Sequence, residues 1–131
     1  MKIILIVFLF LFQTLFAKEN TRVADVLKEE SNSLNEMLPM EIDEETRLDI
    51  TYIINDDTFI YSYSLVNYDK EDFKENDIKA MRLLMEKSIT DMWKTNPELV
   101  YYRINKVNLV YKYNDKFGKH LFEFSFNAHE I

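Results

Sequence analysis

From Asn20 to Met37 apolar residues recur at three- and four-residue steps: Val23, Val26, Leu27 and Leu34, with Leu38 just beyond and a polar gap across Lys28 to Ser33. That spacing predicts an amphipathic helix with a thin apolar stripe. Thr21 is placed to cap it and Asp25 suits the positive end of its dipole. Pro39 ends it, because the residue before a proline avoids the helical region. Nine acids against three bases over residues 18–45 predict that this helix docks at an edge of the domain and frays at its start.

The period then changes to two. In RLDITYIIN, Leu48, Ile50, Tyr52 and Ile54 share one face, with Arg47, Asp49 and Thr51 on the other. In TFIYSYSLV, Phe59, Tyr61, Tyr63 and Leu65 oppose Ile60, Ser62, Ser64 and Val66. Turn residues Asn55-Asp56-Asp57 join the two runs, which predicts a β-hairpin. After a polar loop, Ile78, Met81, Leu84, Met85, Ile89 and Met92 trace one face of a long helix. Asn76 or Asp77 caps it and Pro97 follows its end. PELVYYRIN reads as a further short helical turn. A second hairpin closes the chain: Val107, Leu109, Tyr111 and Tyr113 alternate, Asn114 to Gly118 turn on the only glycine, and Phe122, Phe124 and Phe126 alternate on the return. The fold expected is α+β, in the order α-ββ-α-ββ, with an antiparallel four-stranded sheet covered on one face by the long helix. Tyr61, Tyr63, Tyr111 and Tyr113 then share a face. They read as core beneath that helix, with a shallow aromatic cleft as the functional alternative.

Residues 1–17, MKIILIVFLFLFQTLFA, stand apart. Lys2, the unbroken apolar run Ile3 to Phe12 and the closing Leu15-Phe16-Ala17 have the parts of a secretory signal peptide. The run is short for a span, which needs about 20 apolar residues, and Lys18-Glu19 follow at once. Export to the periplasm or beyond a bacterial cell is expected, with no stable membrane anchor after cleavage. Removing the segment leaves 114 residues, 18–131, with 15 basic and 23 acidic side chains and a net charge of −8, enough for a single domain. That acid excess argues against nucleic acid and anionic lipid, which demand a positive face. It leaves open a basic protein as partner. With no cysteine, disulfide and thiolate chemistry are closed and stability comes from packing.

Motifs for catalysis are missing. One glycine allows neither a GxSxG elbow nor a phosphate loop, and HExxH is absent. His120 and His129 are nine residues apart on one expected strand, so they face opposite ways and share no metal. No cofactor and no metal are expected. Candidate partner-binding residues are the run Tyr101-Tyr102-Arg103 and the acids Glu41, Asp43, Glu44 and Glu45. The latter belong to MEIDEETRLD, five carboxylates in ten residues. A calcium loop would need alternating acids and a glycine, so this stretch reads as a solvated helix-to-strand joint.

Leu38-Pro39-Met40, with Asp43 and Thr46 after it, Tyr61-Ser62-Tyr63-Ser64-Leu65, and Val110-Tyr111-Lys112-Tyr113 resemble a group of small exported bacterial proteins that share an LPM..D..T, YxYxL and YxY pattern. The resemblance implies export and a similar fold and carries no activity. Members often have a pair of cysteines, which this chain lacks. The reading that results is a small exported protein that binds another protein, without catalysis, as an accessory docked on an envelope or secretion machine. An immunity-type inhibitor of a basic toxin is the alternative, and a hydrolase whose site the linear sequence hides comes third.

Overall fold

A computed structural model describes residues 22–131; the expected signal peptide and the Thr21 cap lie outside them. Helix α1 (Val23–Asn35) leads into strands β1 (Met40–Glu41), β2 (Thr46–Ile54) and β3 (Thr58–Leu65). A 3-10 turn at Lys70–Asp72 precedes α2 (Glu75–Lys94) and α3 (Leu99–Ile104), then come β4 (Asn108–Asn114), β5 (His120–Asn127) and a last 3-10 turn at Ala128–Glu130. Asn55 and Asp56 turn the β2–β3 hairpin at φ of 54° and 63°, a left-handed geometry that short polar side chains tolerate. At the start of α2, the Asp77 carboxylate accepts the Lys74 N–H at 3.0 Å.

The α+β class holds, but the sheet corrects the expectation of four antiparallel strands. It has five strands in the order β1-β2-β3-β4-β5, and β3 and β4 run parallel. The added strand comes from the acidic stretch: Met40 pairs with Leu48 and Glu41 with Arg47, so the supposed joint is a hairpin. The parallel pair follows from the connection. β3 leaves the sheet at one end, and the 20 residues of α2, about 30 Å of helix, carry the chain back along it. β4 therefore sets out beside β3 in the same direction.

Parallel pairing lays Ile60–Tyr63 against Val110–Tyr113 residue for residue. Tyr61 and Tyr111 stack at 4.7 Å and 7°, and Tyr63 and Tyr113 at 4.9 Å and 11°. Phe124 and Phe122 extend the two rows onto β5. These rings are buried. The tyrosines are core, and burial pushes the pKa of all four hydroxyls up.

The cover is made by two helices rather than one. α1 lies over β2 and α2 over β5. Val26, Leu27 and Leu34 come down from α1, and Met85, Ile89 and Trp93 from α2. The Trp93 indole N–H donates to the Tyr111 hydroxyl at 2.7 Å, which gives a buried polar pair its partner. α1 covers β2, which is the edge of the sheet beyond the two residues of β1. Leu84, on the expected apolar face of α2, is half exposed, because the true contact stripe is centred on Met85, Ile89 and Trp93.

Candidate functional site

The opposite face of the sheet is set by one residue. Leu48 pairs with Tyr63 but Ile50 pairs with Ser62, so Asp49 is an extra residue in β2 with no partner opposite. This β-bulge shifts the alternation by one, and a one-residue shift exchanges the faces of everything after it. Leu48 stays in the core. Thr51 and Ile53 then take the core-facing positions beside Tyr61 and Phe59, while Ile50, Tyr52 and Ile54 turn to the open side. That corrects the expectation that Leu48, Ile50, Tyr52 and Ile54 share a face.

Thr51 is tolerated under α1 because the helix is polar there. Its hydroxyl meets Ser31 Oγ at 2.8 Å. The Asn35 side chain accepts the Thr51 N–H and donates to the Thr51 carbonyl, each at 2.8 Å, closing the edge of β2 where β1 has run out. The polar gap in α1 is thereby explained. On the open side Asp49 accepts a hydrogen bond from the Ser64 hydroxyl and pairs with Arg47.

Register places four rows across the open face: Ile54, Thr58, Asn108 and Asn127; Tyr52, Ile60, Val110 and Ser125; Ile50, Ser62, Lys112 and Glu123; Arg47, Ser64, Asn114 and His120. Ile50 and Ile54 are 49% and 43% exposed. Tyr52 lies between them, with the Lys112 ammonium 5.8 Å over its ring. The result is an apolar stripe along β2 that continues onto Val110, with polar groups toward β5. Its charges are mixed: Arg47 and Lys112 stand with Asp49 and Glu123, and the register sets Glu41 beside Arg47. Exposed apolar patches of this kind mark interaction surfaces more often than scattered single residues do.

The residues named from sequence lie at opposite ends of the sheet. At the end where β3 stops, Glu45 accepts the Tyr68 hydroxyl at 3.1 Å, and its carbonyl takes the Val66 N–H. Asp43 accepts the Glu45 N–H at 2.8 Å, Glu44 is exposed, and Glu41 pairs with Arg47 across β1 and β2. The acids mostly tie down their own hairpin. One oxygen each of Asp43 and Glu45 is buried without a hydrogen-bond partner among the described residues, and burial followed by Glu45 and Asp43 raises the Tyr68 pKa. At the other end, Tyr102 is buried, Tyr101 is half-buried, and the Arg103 guanidinium donates to the Ile131 carbonyl. These three do not form one patch.

His120 stands beside Glu123, 3.6 Å from its carboxylate, while the His129 ring is held by Asn127. Among the described residues no three His, Asp or Glu side chains are placed to hold a metal ion. Nor is any described helix long and apolar enough to cross a membrane. What sequence reasoning missed is the open stripe, because its three residues alternate cleanly with Leu48 and so read as sharing its face.

The fold has solved counterparts. A protein from Pseudomonas aeruginosa assigned as secreted superposes with a TM-score of 0.60 at 13% identity, covering 82% of this chain and 90% of its own. The type 2 secretion system pilotin EpsS of Vibrio vulnificus has a TM-score of 0.60 at 10% identity, covering 82% and 89%. The type II secretion pilotin AspS of Vibrio cholerae has a TM-score of 0.60 at 8% identity, covering 88% and 98%. At these identities the likeness is one of fold. No curated protein sequence matches the chain. Residues 21–122 match the family described as Domain of unknown function (DUF8479), and the chain belongs to that family.

Proposed function

We propose that this is an exported accessory protein that works by binding another protein, without catalysis of its own, docked on an envelope or secretion machine. The observation that carries this reading is the bulge at Asp49, which turns Ile50, Tyr52 and Ile54 out of the core onto the sheet face away from the described helices. A fold shared with two secretion pilotins and a protein assigned as secreted supports the same setting. The mixed charge of the open face, where Arg47 and Lys112 stand among the acids, favours the accessory role over an inhibitor of a basic toxin, whose contact surface would be acidic throughout.

The test is affinity capture from native envelope and secreted extracts. The double substitution Ile50→Asp with Ile54→Asp is expected to abolish capture of a stoichiometric protein partner. The melting temperature should barely move, since substitutions at exposed positions usually change stability by about 0.5 kcal/mol or less. Capture that survives the double substitution overturns the assignment of the face.

A further inference from the structure

One end row of the open face carries a chain of hydrogen bonds that all run the same way. Asn127 sets the direction. Its side-chain oxygen takes the His129 backbone N–H at 3.1 Å, a group that can only donate. Its nitrogen donates to the Lys106 carbonyl at 2.9 Å, a group that can only accept. The same nitrogen donates to Asn108 Oδ1 at 2.7 Å, so Asn108 turns its own nitrogen to Thr58 Oγ1 at 3.4 Å. The Thr58 hydroxyl in turn donates to Asp57 Oδ1 at 2.8 Å. Every donor points from β5 toward β3, and the chain ends on a carboxylate.

Over this row lies a cleft of about 340 Å³, lined by Thr58, Asn108, Val110, Ser125, Asn127 and Glu130 among others. Donors are largely spent inside the chain, so the capacity left over is weighted toward acceptors. A lone pair remains on Asn108 Oδ1 and another on Thr58 Oγ1, beside the Ser125 hydroxyl. Glu130 uses Oε1 for the Asn127 N–H at 3.3 Å and presents Oε2. Against these stand only one N–H of Asn108 and the proton of Ser125. Glu130 is the one charged residue among those lining the cleft, so a donor-rich cation suits it better than a neutral group, which among side chains means arginine or lysine. Val110 offers apolar surface for the stem of such a side chain.

The geometry points to a site for a basic group: the cleft takes a guanidinium or ammonium side chain from the segment that docks on the open face. This rests on the docking reading above and adds the contact that fixes where along the stripe the partner sits. Affinity comes from the stripe, and position comes from the cation.

The experiment titrates Nα-acetyl-arginine amide into the ¹⁵N-labelled full chain. Saturable shifts are expected at the Asn108 side-chain amide and at the Ser125 backbone. The citrulline analogue, equal in shape but uncharged, should give none. Glu130→Gln keeps an oxygen acceptor for the Asn127 N–H and replaces the second, charged oxygen with a neutral amide, so it should weaken the arginine probe about threefold or more at an unchanged melting temperature. Equal shifts from citrulline, or undiminished binding by Glu130→Gln, overturn the proposal. No partner is needed, so the two readings fail separately. Arginine bound by a protein whose capture ignores Ile50 and Ile54 sinks the docking face alone. Capture that needs the stripe, with no arginine binding, sinks the cleft alone.

Discussion

Glu98 is buried just ahead of α3, and its Oε2 meets no donor among the described residues. Burial first, then the Glu30 carboxylate, raise its pKa from the ordinary value. A raised carboxyl pKa means that the folded chain holds this proton more tightly than the unfolded one. Its stabilising contribution is therefore complete below the unfolded pKa and is lost as pH rises through the folded one. Glu98→Gln should raise the melting temperature at pH 7 and leave it unchanged near pH 3, where both states of the wild type are protonated. An unchanged melting temperature at pH 7 would mean that the carboxylate is well solvated after all. Asp115 is the opposite case. It is fully buried, and burial works against its charge, but N–H groups of Lys70, Lys119 and Phe117 outweigh that and hold its pKa down. Nothing in a list of 23 acids separates these two, because what distinguishes them is the number of donors that folding brings.

At the scale of elements, β2 depends on a side chain from a helix. Asn35 satisfies both backbone groups of Thr51 at an edge where β1 offers no further strand. Asn35→Ala should therefore cost roughly 1–3 kcal/mol, the penalty for leaving buried polar groups unpaired. Urea unfolding would measure it, and a loss below about 0.5 kcal/mol would show that water replaces the amide. The helices and both hairpins were legible from period and turn chemistry alone, down to the short turn at Leu99–Ile104. The bulge was not, since Leu48, Ile50, Tyr52 and Ile54 alternate without a break. The one available hint was a mismatch: a polar stretch on α1 needs a polar position beneath it, and Thr51 supplies one only if the register slips.

For the whole molecule, most of the charge lies away from the docking surface. The acid excess is carried largely by α1, the turns and the loops, while the open face sets Arg47 and Lys112 among its own acids. Association through that face should weaken by less than about tenfold between roughly 50 and 500 mM salt, because its bases offset most of its acids and a single cation contact leaves little attraction to screen. Steep weakening with salt would restore the inhibitor of a basic protein. The class of fold was readable from the order of elements, and the parallel pair could have been. A helix between two hairpins is a crossover, and two strands reading IYSY and VYKY match residue for residue only when they run the same way.

That match has a cost in folding. The tyrosines of each central strand stand two residues apart, so sliding β4 by two along β3 would still set Tyr61 against Tyr113, ring on ring. The aromatic centre holds strands together without telling them where to stop. The address is written at the end of the sheet. There the Asn108 N–H must find the Asp57 carbonyl at 2.8 Å, and the Asn108 side chain must fall between Thr58 and Asn127. A slipped strand would keep its stacking and lose this key, so the row that shapes the cleft also tells β4 where to begin.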